Sequence, residues 1–599
     1  MATALEWLNQ RSAEDWIWSG DGGSNADLSA RSLAAASQAA AAIAQQHFPQ
    51  LSHSPEQGDR PPVILLATAD PATFLAWFSA LTSLGYPLFL GNPDWGEAQW
   101  RQIAAGLAPD VILADLDQSK AQGLGWTAWN QNVDIWASNN LSFPQISENC
   151  GKPTKTYHSE GRRRFDPLFD FSEPVEKGWI CIPTGGSTGQ LRFAIHSWKT
   201  LAASVGGLRR SPLVPPGGAI HSYCLLPLFH VSGLMQFLRS LLTGGQLVVQ
   251  PWHQLLTGLE AAAPDQSNQS SQASEPSHPI AQLDPSDRPW TNFPFFLSLV
   301  PTQLQRLLNQ PAAIPWLRQF HCIFLGGAPA WPALLDRARA AALPLAPTYG
   351  MTETASQVAT LSPAEFLRGR SGCGPALPHA RLALEPAGAI GPAPLRIRAD
   401  SLALGYYSLP APGPATAAVS GRAMVTRWDE AGFLTDDLGQ LDGAGRLTIV
   451  GRASDKIISG GENIFPAAVE AAILATGLVV DGAVLGWPDP VWGERVVAVV
   501  VAEAMAVRAV TAGPVAVEPV AVEPAAVEPA AVEPAAVESV ESAPGELVLA
   551  LNRAIAPQLS PAQRPKQWLI APALPRNGQG KLQRQPLRAW LQAVLERPA

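Results

Sequence analysis

Short apolar runs bounded by Pro, Gly or polar clusters alternate with longer amphipathic stretches along most of the chain. Residues 62–67, 86–90, 111–114, 178–182, 222–226, 246–250, 295–300 and 322–325 have the length and composition of buried strands. Residues 33–48, 71–84, 95–107, 231–242, 301–308 and 331–342 read as helices, with Pro in the first turn of 71–84. Strand and helix in alternation predict an α/β fold with a largely parallel sheet. Residues 140–176 are polar and read as irregular. From about Gly374 the pattern shifts to short strands broken by Pro and Gly, a β-rich subdomain with a hairpin turn over 441–447. A smaller α/β unit follows, with helices at 466–475 and 545–554 and strands at 482–486 and 496–501.

The expected division is a large N-terminal domain, 1–453, and a small C-terminal α/β domain, 454–599, with the boundary near Ser454. Two segments stand outside the pattern. Residues 261–289 are rich in Ser, Gln, Pro and Asp and read as an insertion without a core of its own. Residues 514–538 repeat every five positions, with Glu518, Glu523, Glu528, Glu533 and Glu538 in register. Recurrent proline forbids regular helix and sheet there, and the acidic charge favours an extended, solvated loop.

Composition narrows the partners. The chain has 599 residues, 47% hydrophobic and 15% charged, with a net charge of -9. That balance argues against a general nucleic-acid binder, so an anionic substrate needs local positive charge at its site. The five cysteines are scattered, with no CxxC pair and no zinc-ligand spacing, which fits a reducing cytoplasmic setting. Neither a signal peptide nor a membrane span of roughly 18 apolar residues is visible. No protein partner is evident.

Chemistry concentrates in one stretch, Thr184-Gly185-Gly186-Ser187-Thr188-Gly189 with Arg192 just beyond. Glycines let backbone N–H groups turn toward one point, hydroxyls add donors, and Arg192 adds fixed charge, so the loop can wrap a polyphosphate. It lacks the Gly-Lys-Ser/Thr ending of a P-loop, and a surface turn has the same composition. Glu353, after Tyr349-Gly350-Met351-Thr352, could supply the single carboxylate that Mg²⁺ needs beside phosphate, or be a helix-start Glu. Asp437 could accept ribose hydroxyls with Arg452 nearby, or form a surface ion pair. His230 ends a strand at a helix start, where it could line a pocket or be structural. Lys581 sits on a glycine-flanked loop, as many solvated lysines do.

In this order and spacing, the pieces resemble the adenylate-forming (acyl-CoA synthetase) superfamily. Thr184–Arg192 is similar to its phosphate loop, 349–353 to its aromatic-Gly-x-Thr-Glu motif, and 432–437 to its Thr-Gly-Asp motif. Residues 451–466 resemble its hinge and following loop, and 577–581 its C-terminal lysine motif. The likeness covers the chain apart from the two insertions, and within the superfamily it is greatest to the o-succinylbenzoate–CoA ligases of menaquinone and phylloquinone synthesis. The features are 227–234, 298–304, 325–328 and the Gly185-Gly186 form of the loop. Three positions depart from the pattern: Gly185-Gly186 replaces Ser-Gly, Arg192 replaces Lys, and Asp436 stands where Gly is usual.

The resemblance implies ligation of a carboxylic acid to CoA at the expense of ATP, with Mg²⁺, through an acyl-adenylate. It assigns the phosphates to Thr184, Gly185, Gly186, Ser187, Thr188, Gly189 and Arg192, and Mg²⁺ to Glu353 and Thr188. It assigns the nucleoside to Gly326, Gly327, Tyr349, Thr352, Asp437 and Arg452, and the acyl group to His230, Ser232, Ser298 and Gln357. Lys581 serves the first half-reaction. Rotation about Ser454–Lys456 then brings Ser459, Gly460, Gly461, Glu462 and Asn463 to the CoA arm. A medium-chain or aryl acid as substrate, a carrier-protein adenylation domain acting in trans, and a non-catalytic nucleotide-binding scaffold are the alternatives.

Overall fold

The computed structural model describes residues 3–11, 17–19, 30–47, 63–115, 126–128, 155–159, 178–184, 190–261, 293–389, 391–410, 424–502, 541–576 and 582–595. The segment 261–289, apart from Ala261, and the repeat at 514–538 lie outside the described residues.

Two large sheets carry the first 430 or so positions. One has seven strands, in spatial order Ile17–Ser19, Leu247–Val249, His221–Cys224, Phe295–Leu299, Cys322–Leu325, Leu345–Met351 and Ser356–Thr360. All neighbours are parallel except the last pair, which is antiparallel. The other has nine, in order Met424–Arg427, Gly405–Ser408, Arg192–His196, Ile180–Thr184, Leu88–Leu90, Ile64–Ala67, Val111–Ala114, Lys155–Ser159 and Trp126–Ala128. Its centre is parallel and both flanks are antiparallel.

Helix Pro71–Leu84 lies in the core beside the strand Ile64–Ala67. The Asp70 side chain caps its first turn by accepting from Thr73 N–H at 2.8 Å, and Gly85, at φ 73°, ends it. Every residue from Phe74 to Leu81 is buried, as expected of a helix apolar on all faces. Helix Val231–Thr243 is similar, buried from Gly233 to Leu241 and ended by Gly244 at φ 79°. The helix expected over 95–107 is α-helical over Glu97–Gln102 and continues as a π-helical turn over Ile103–Leu107.

An antiparallel five-stranded sheet follows, in order Gly374–Pro375, Arg446–Arg452, Phe433–Leu441, Ala393–Ala399 and Ala380–Leu384. Asp442 makes the 441–447 hairpin turn, its Oδ1 accepting from the N–H groups of Ala444 and Arg446, both at 2.9 Å. The last sheet has six strands, with Val479–Asp489 and Gly493–Ala502 forming a long hairpin at its centre. Helices Pro466–Ala475 and Gly545–Ile555 cover one face, and Arg584–Leu595 the other.

Within 140–176 the structure departs from expectation: Lys155–Ser159 is a strand of the nine-stranded sheet, paired between Val111–Ala114 and Trp126–Ala128. Its sequence, Lys-Thr-Tyr-His-Ser, carries no apolar alternation from which a strand could be read. No described helix is long and apolar enough to cross a membrane.

Candidate active site

The strands Ile180–Thr184 and Arg192–His196 are paired so that Thr184 faces Arg192 across the ladder. Residues 185–189 (Gly185, Gly186, Ser187, Thr188 and Gly189) link the two strands and lie outside the described residues, as does Lys581. Arg192 points its guanidinium over the ring of Tyr406, 4.9 Å from the centroid. Its Nε–H has no partner among the described residues.

Glu353 comes to the same ring from another element. It sits in a 3₁₀ turn, Thr352–Thr354, directly after the strand Leu345–Met351. Two non-glycine residues then take left-handed angles, Ala355 at φ 50° and Ser356 at φ 88°. Such angles cost free energy and persist where surroundings over-determine them. Here the clamps are hydrogen bonds from Ser204 Oγ to Ala355 O at 2.6 Å, Thr354 Oγ1 to Ser356 O at 2.6 Å and Ser401 Oγ to Thr354 O at 2.9 Å. His196 Nε2 bonds Thr352 O at 2.7 Å, and burial holds its pKa down near 4. The reversal sends Glu353 to one side, where its Oε1 accepts from the Tyr406 hydroxyl.

A second cluster gathers Asp437. Its Oδ2 accepts from Tyr349 Oη–H at 2.7 Å, and its Oδ1 from Arg452 Nε–H at 2.9 Å. Burial works against the Arg452 charge, but Asp437 holds its pKa above the ordinary value. Burial and the neighbouring Asp437 carboxylate both push the Tyr349 phenol up, so it stays a donor. Gly350 is required beside it: a Cβ there would meet Ser356 O at 2.2 Å, where the ladder shifts register. Gly326 and Gly327 follow the strand Cys322–Leu325, and Thr348 Oγ1 would lie 2.6 Å from a Cβ on Gly326.

Among the expected acyl residues, Gln357 is buried and bonded to an arginine of helix Val231–Thr243. On helix Val231–Thr243, Ser232, Gln236 and Arg239 share a face by spacing. Arg239 is buried and gives Nη2 to Gln357 Oε1 at 2.7 Å and to Ser356 Oγ at 2.9 Å. Burial lowers its pKa to about 10, and the groups acting against that fall are the thiols of Cys224 and Cys322, not a carboxylate. Arg239 Nε, Gln357 Nε2, Gln236 Oε1 and His230 Nε2 are buried without partners among the described residues. Burial also drives His230 down to about 3, so its ring is neutral. Ser298 lies half-buried on strand Phe295–Leu299. The sequence reading missed Arg239 and Tyr406; an arginine inside a long apolar helix and a tyrosine after Gly405 were the available signals.

At the boundary, Asp436 accepts from Ser454 N–H at 3.2 Å and from Ser454 Oγ–H. Lys456 N–H bonds Ala453 O at 3.4 Å. Ser459 is buried, Gly460 and Gly461 make the turn at φ 57° and 82°, and Glu462 and Asn463 are exposed on the strand that follows.

The family described as "AMP-binding enzyme" matches residues 291–407. The fold is shared with ATP-bound MatB from Rhodopseudomonas palustris, at TM-score 0.65 and 19% identity over 99% of this chain and 100% of that one. The match to the AMP-binding enzymes thus spans 291–407, and the shared fold extends over nearly the whole chain. Among its relatives are 2-succinylbenzoate–CoA ligases: one from Listeria monocytogenes is 28% identical over 74% of this chain and 78% of its own length. Another, from Bacillus velezensis, is 33% identical over 46% of this chain and 49% of its own. The o-succinylbenzoate CoA synthetase of Bacillus subtilis in complex with its acyl-adenylate intermediate matches at TM-score 0.63 and 20% identity, over 97% of both chains.

Proposed function

We propose that this chain is a cytoplasmic AMP-forming acid–CoA ligase that converts o-succinylbenzoate, ATP and CoA to o-succinylbenzoyl-CoA, AMP and pyrophosphate. The observation that carries the substrate is Arg239, a buried guanidinium that faces no described carboxylate. Leaving a charge buried and unpaired is costly, and a substrate with a second, spectator carboxylate supplies the missing partner. Gln357 Nε2 and Arg239 Nε are the unspent donors beside it. A monoacid with an apolar tail would leave the cost unrelieved. The cytoplasm suits the unpaired thiols of Cys181, Cys224, Cys322 and Cys373.

The reaction divides into two displacements. An oxygen of the reacting carboxylate bonds to the α-phosphorus of ATP, and the bond to pyrophosphate breaks. The CoA sulfur then bonds to the acyl carbon, the thiol proton is lost, and AMP leaves. No protein nucleophile is required; the chain supplies position and charge. Arg192 with Thr184, Ser187 and Thr188 holds the phosphates, and Asp437 with Arg452 holds the ribose. Lys581 bridges the carboxylate and the α-phosphate in the first half. Domain rotation at Ser454–Lys456 exchanges it for the 459–463 loop in the second. Mg²⁺ takes one or two carboxylates plus phosphate oxygens. Glu353 fits as a lone acidic ligand, since no cluster of three acidic, His or Cys groups exists among the described residues. The ion, when bound, neutralises charge on the phosphates.

The test is release of AMP and CoA thioester by purified protein with Mg·ATP, CoA and o-succinylbenzoate, with benzoate and octanoate beside it. Turnover restricted to o-succinylbenzoate is expected. Preference for octanoate or benzoate would overturn the substrate, and silence with every acid would overturn the ligase.

A further inference from the structure

Tyr406 belongs to none of the motifs that assign the phosphates, the metal or the nucleoside, yet it stands between two of their charges. Its strand, Gly405–Ser408, pairs with Arg192–His196 on one side and Met424–Arg427 on the other. The ring packs edge-on against Trp428, with centroids 4.9 Å apart, and near Phe433 at 6.4 Å. Arg192 lies over the ring, and Glu353 Oε1 accepts the hydroxyl proton. The aromatic wall fixes the ring, and the ring fixes both charged groups.

Without this tyrosine, a guanidinium and a carboxylate in the same half-buried space would be drawn into an ion pair with each other. Such a pair would spend Arg192 on Glu353 and leave neither for an incoming ligand. The cation–π contact holds the Arg192 guanidinium with its Nε–H unpartnered among the described residues, and the phenol occupies one oxygen of Glu353. Burial and the Glu353 charge both raise the phenol's pKa, so it remains a donor through the neutral range.

We propose that Tyr406 is a positioning residue that holds Glu353 open toward a divalent cation and Arg192 open toward phosphate, keeping the two from neutralising each other. This rests on the adenylate-forming reading of the site. It adds a distinct expectation: the tyrosine hydroxyl sets the coupling between cation and nucleotide, and not the affinity for nucleotide alone.

The experiment is calorimetric titration of a non-hydrolysable ATP analogue into wild type, Tyr406→Phe and Glu353→Gln, with and without Mg²⁺. Electron paramagnetic resonance of Mn²⁺ accompanies it as a direct readout of bound cation. Phe keeps the packing against Trp428, so the thermal midpoint should match wild type. Tyr406→Phe is expected to raise the half-saturating cation concentration about 10- to 150-fold, as for a lost hydrogen bond to a charged group. The metal-free nucleotide affinity and the second half-reaction, from supplied acyl-adenylate, should stay within twofold. Equal cation dependence in wild type and Tyr406→Phe would overturn the proposal. So would an equal fall in affinity with and without cation, which marks a purely structural role. Failure of wild type to bind the analogue at all would instead sink the adenylate-forming reading.

Discussion

Replacing Arg239 by Met tests whether its buried charge serves a second carboxylate. The substitution keeps the aliphatic stem and removes the guanidinium. In the free protein burial disfavours the charged form and lowers that group's pKa to about 10. For a base with a depressed folded pKa the penalty is fully present below that pKa and disappears only as pH rises through it, so at neutral pH it is intact. Against it stand the two hydrogen bonds to Gln357 and Ser356, about 1.5 kcal/mol or more each when the donor is charged. Burial and hydrogen bonding act in opposite directions, and replacing a buried charge by an apolar side chain of similar size is often neutral, so the unfolding free energy of Arg239→Met should lie within about 1 kcal/mol of wild type. Substrate binding has no such cancellation. Removing one member of a buried, hydrogen-bonded charge pair costs about 2–5 kcal/mol, so kcat/KM for o-succinylbenzoate should fall by about 30- to 4000-fold. An acid lacking the second carboxylate should lose far less, or gain. The assay is pyrophosphate release across both acids. Equal loss for the monoacid and the diacid would refute the reasoning, as would full retention with o-succinylbenzoate.

Four further outcomes are expected. Lys581→Ala should abolish AMP formation from acid and ATP while sparing thioester formation from supplied acyl-adenylate; equal loss of both halves would remove the delivery role. Burial holds His196, His221 and His379 down near 4 and His230 near 3, so stability is full above the unfolded value of 6.5 and is lost as pH falls toward 4. Unfolding at pH 5 should accordingly take up about three to four protons, measured from denaturation midpoints against pH; a flat profile between pH 7 and 5 would contradict it. Asp436→Gly removes the acceptor of Ser454 N–H and Oγ–H. That should shift the balance of the two half-reactions by about two- to fivefold, read in single-turnover experiments on each half; an unchanged ratio would show that this contact does not restrain the hinge. Gly350→Ala should destabilise by about 2 kcal/mol or more, seen in the thermal midpoint, because its Cβ would strike the Ser356 carbonyl.

Local pattern was enough wherever an element's burial is decided by its own sequence. Residues 71–84, 111–114, 301–308, 322–325 and 466–475 show their boundaries in Pro, Gly and apolar periodicity, and the structure has them at those bounds. The strand Lys155–Ser159 was not legible, since its sequence has no apolar alternation and its pairing partners, Val111–Ala114 and Trp126–Ala128, lie far away in the chain. The site splits in the same way. Glu353, Asp437, Arg452 and Tyr349 stand in short motifs that can be read as chemistry. Arg239 and Tyr406 acquire their surroundings from residues 118 and 53 positions away, Gln357 and Glu353. In the sequence, Arg239 looks like an ordinary helix cation and Tyr406 like a strand aromatic. Only the crossing of helix 231–243 with the turn after Glu353 gives the first its burial, and only sheet pairing gives the second its charges.

The strand Ile17–Ser19 pairs with Leu247–Val249 at the edge of the seven-stranded sheet, and Arg11 gives Nη1 to Ser240 O at 2.8 Å and Nη2 to Gly245 O at 2.9 Å. This ties the order of assembly to the ribosome. Ile17–Ser19 is made early but its partners emerge some 230 residues later, roughly 12–46 s at about 5–20 residues per second. Through that interval the strand lacks its ladder partner Leu247–Val249, and Arg11 lacks the carbonyls of Ser240 and Gly245. The sheet's edge is therefore closed by a segment made some 230 residues before its partner and completed only when position 249 is clear of the exit tunnel, so the earlier segment must stay soluble while it waits.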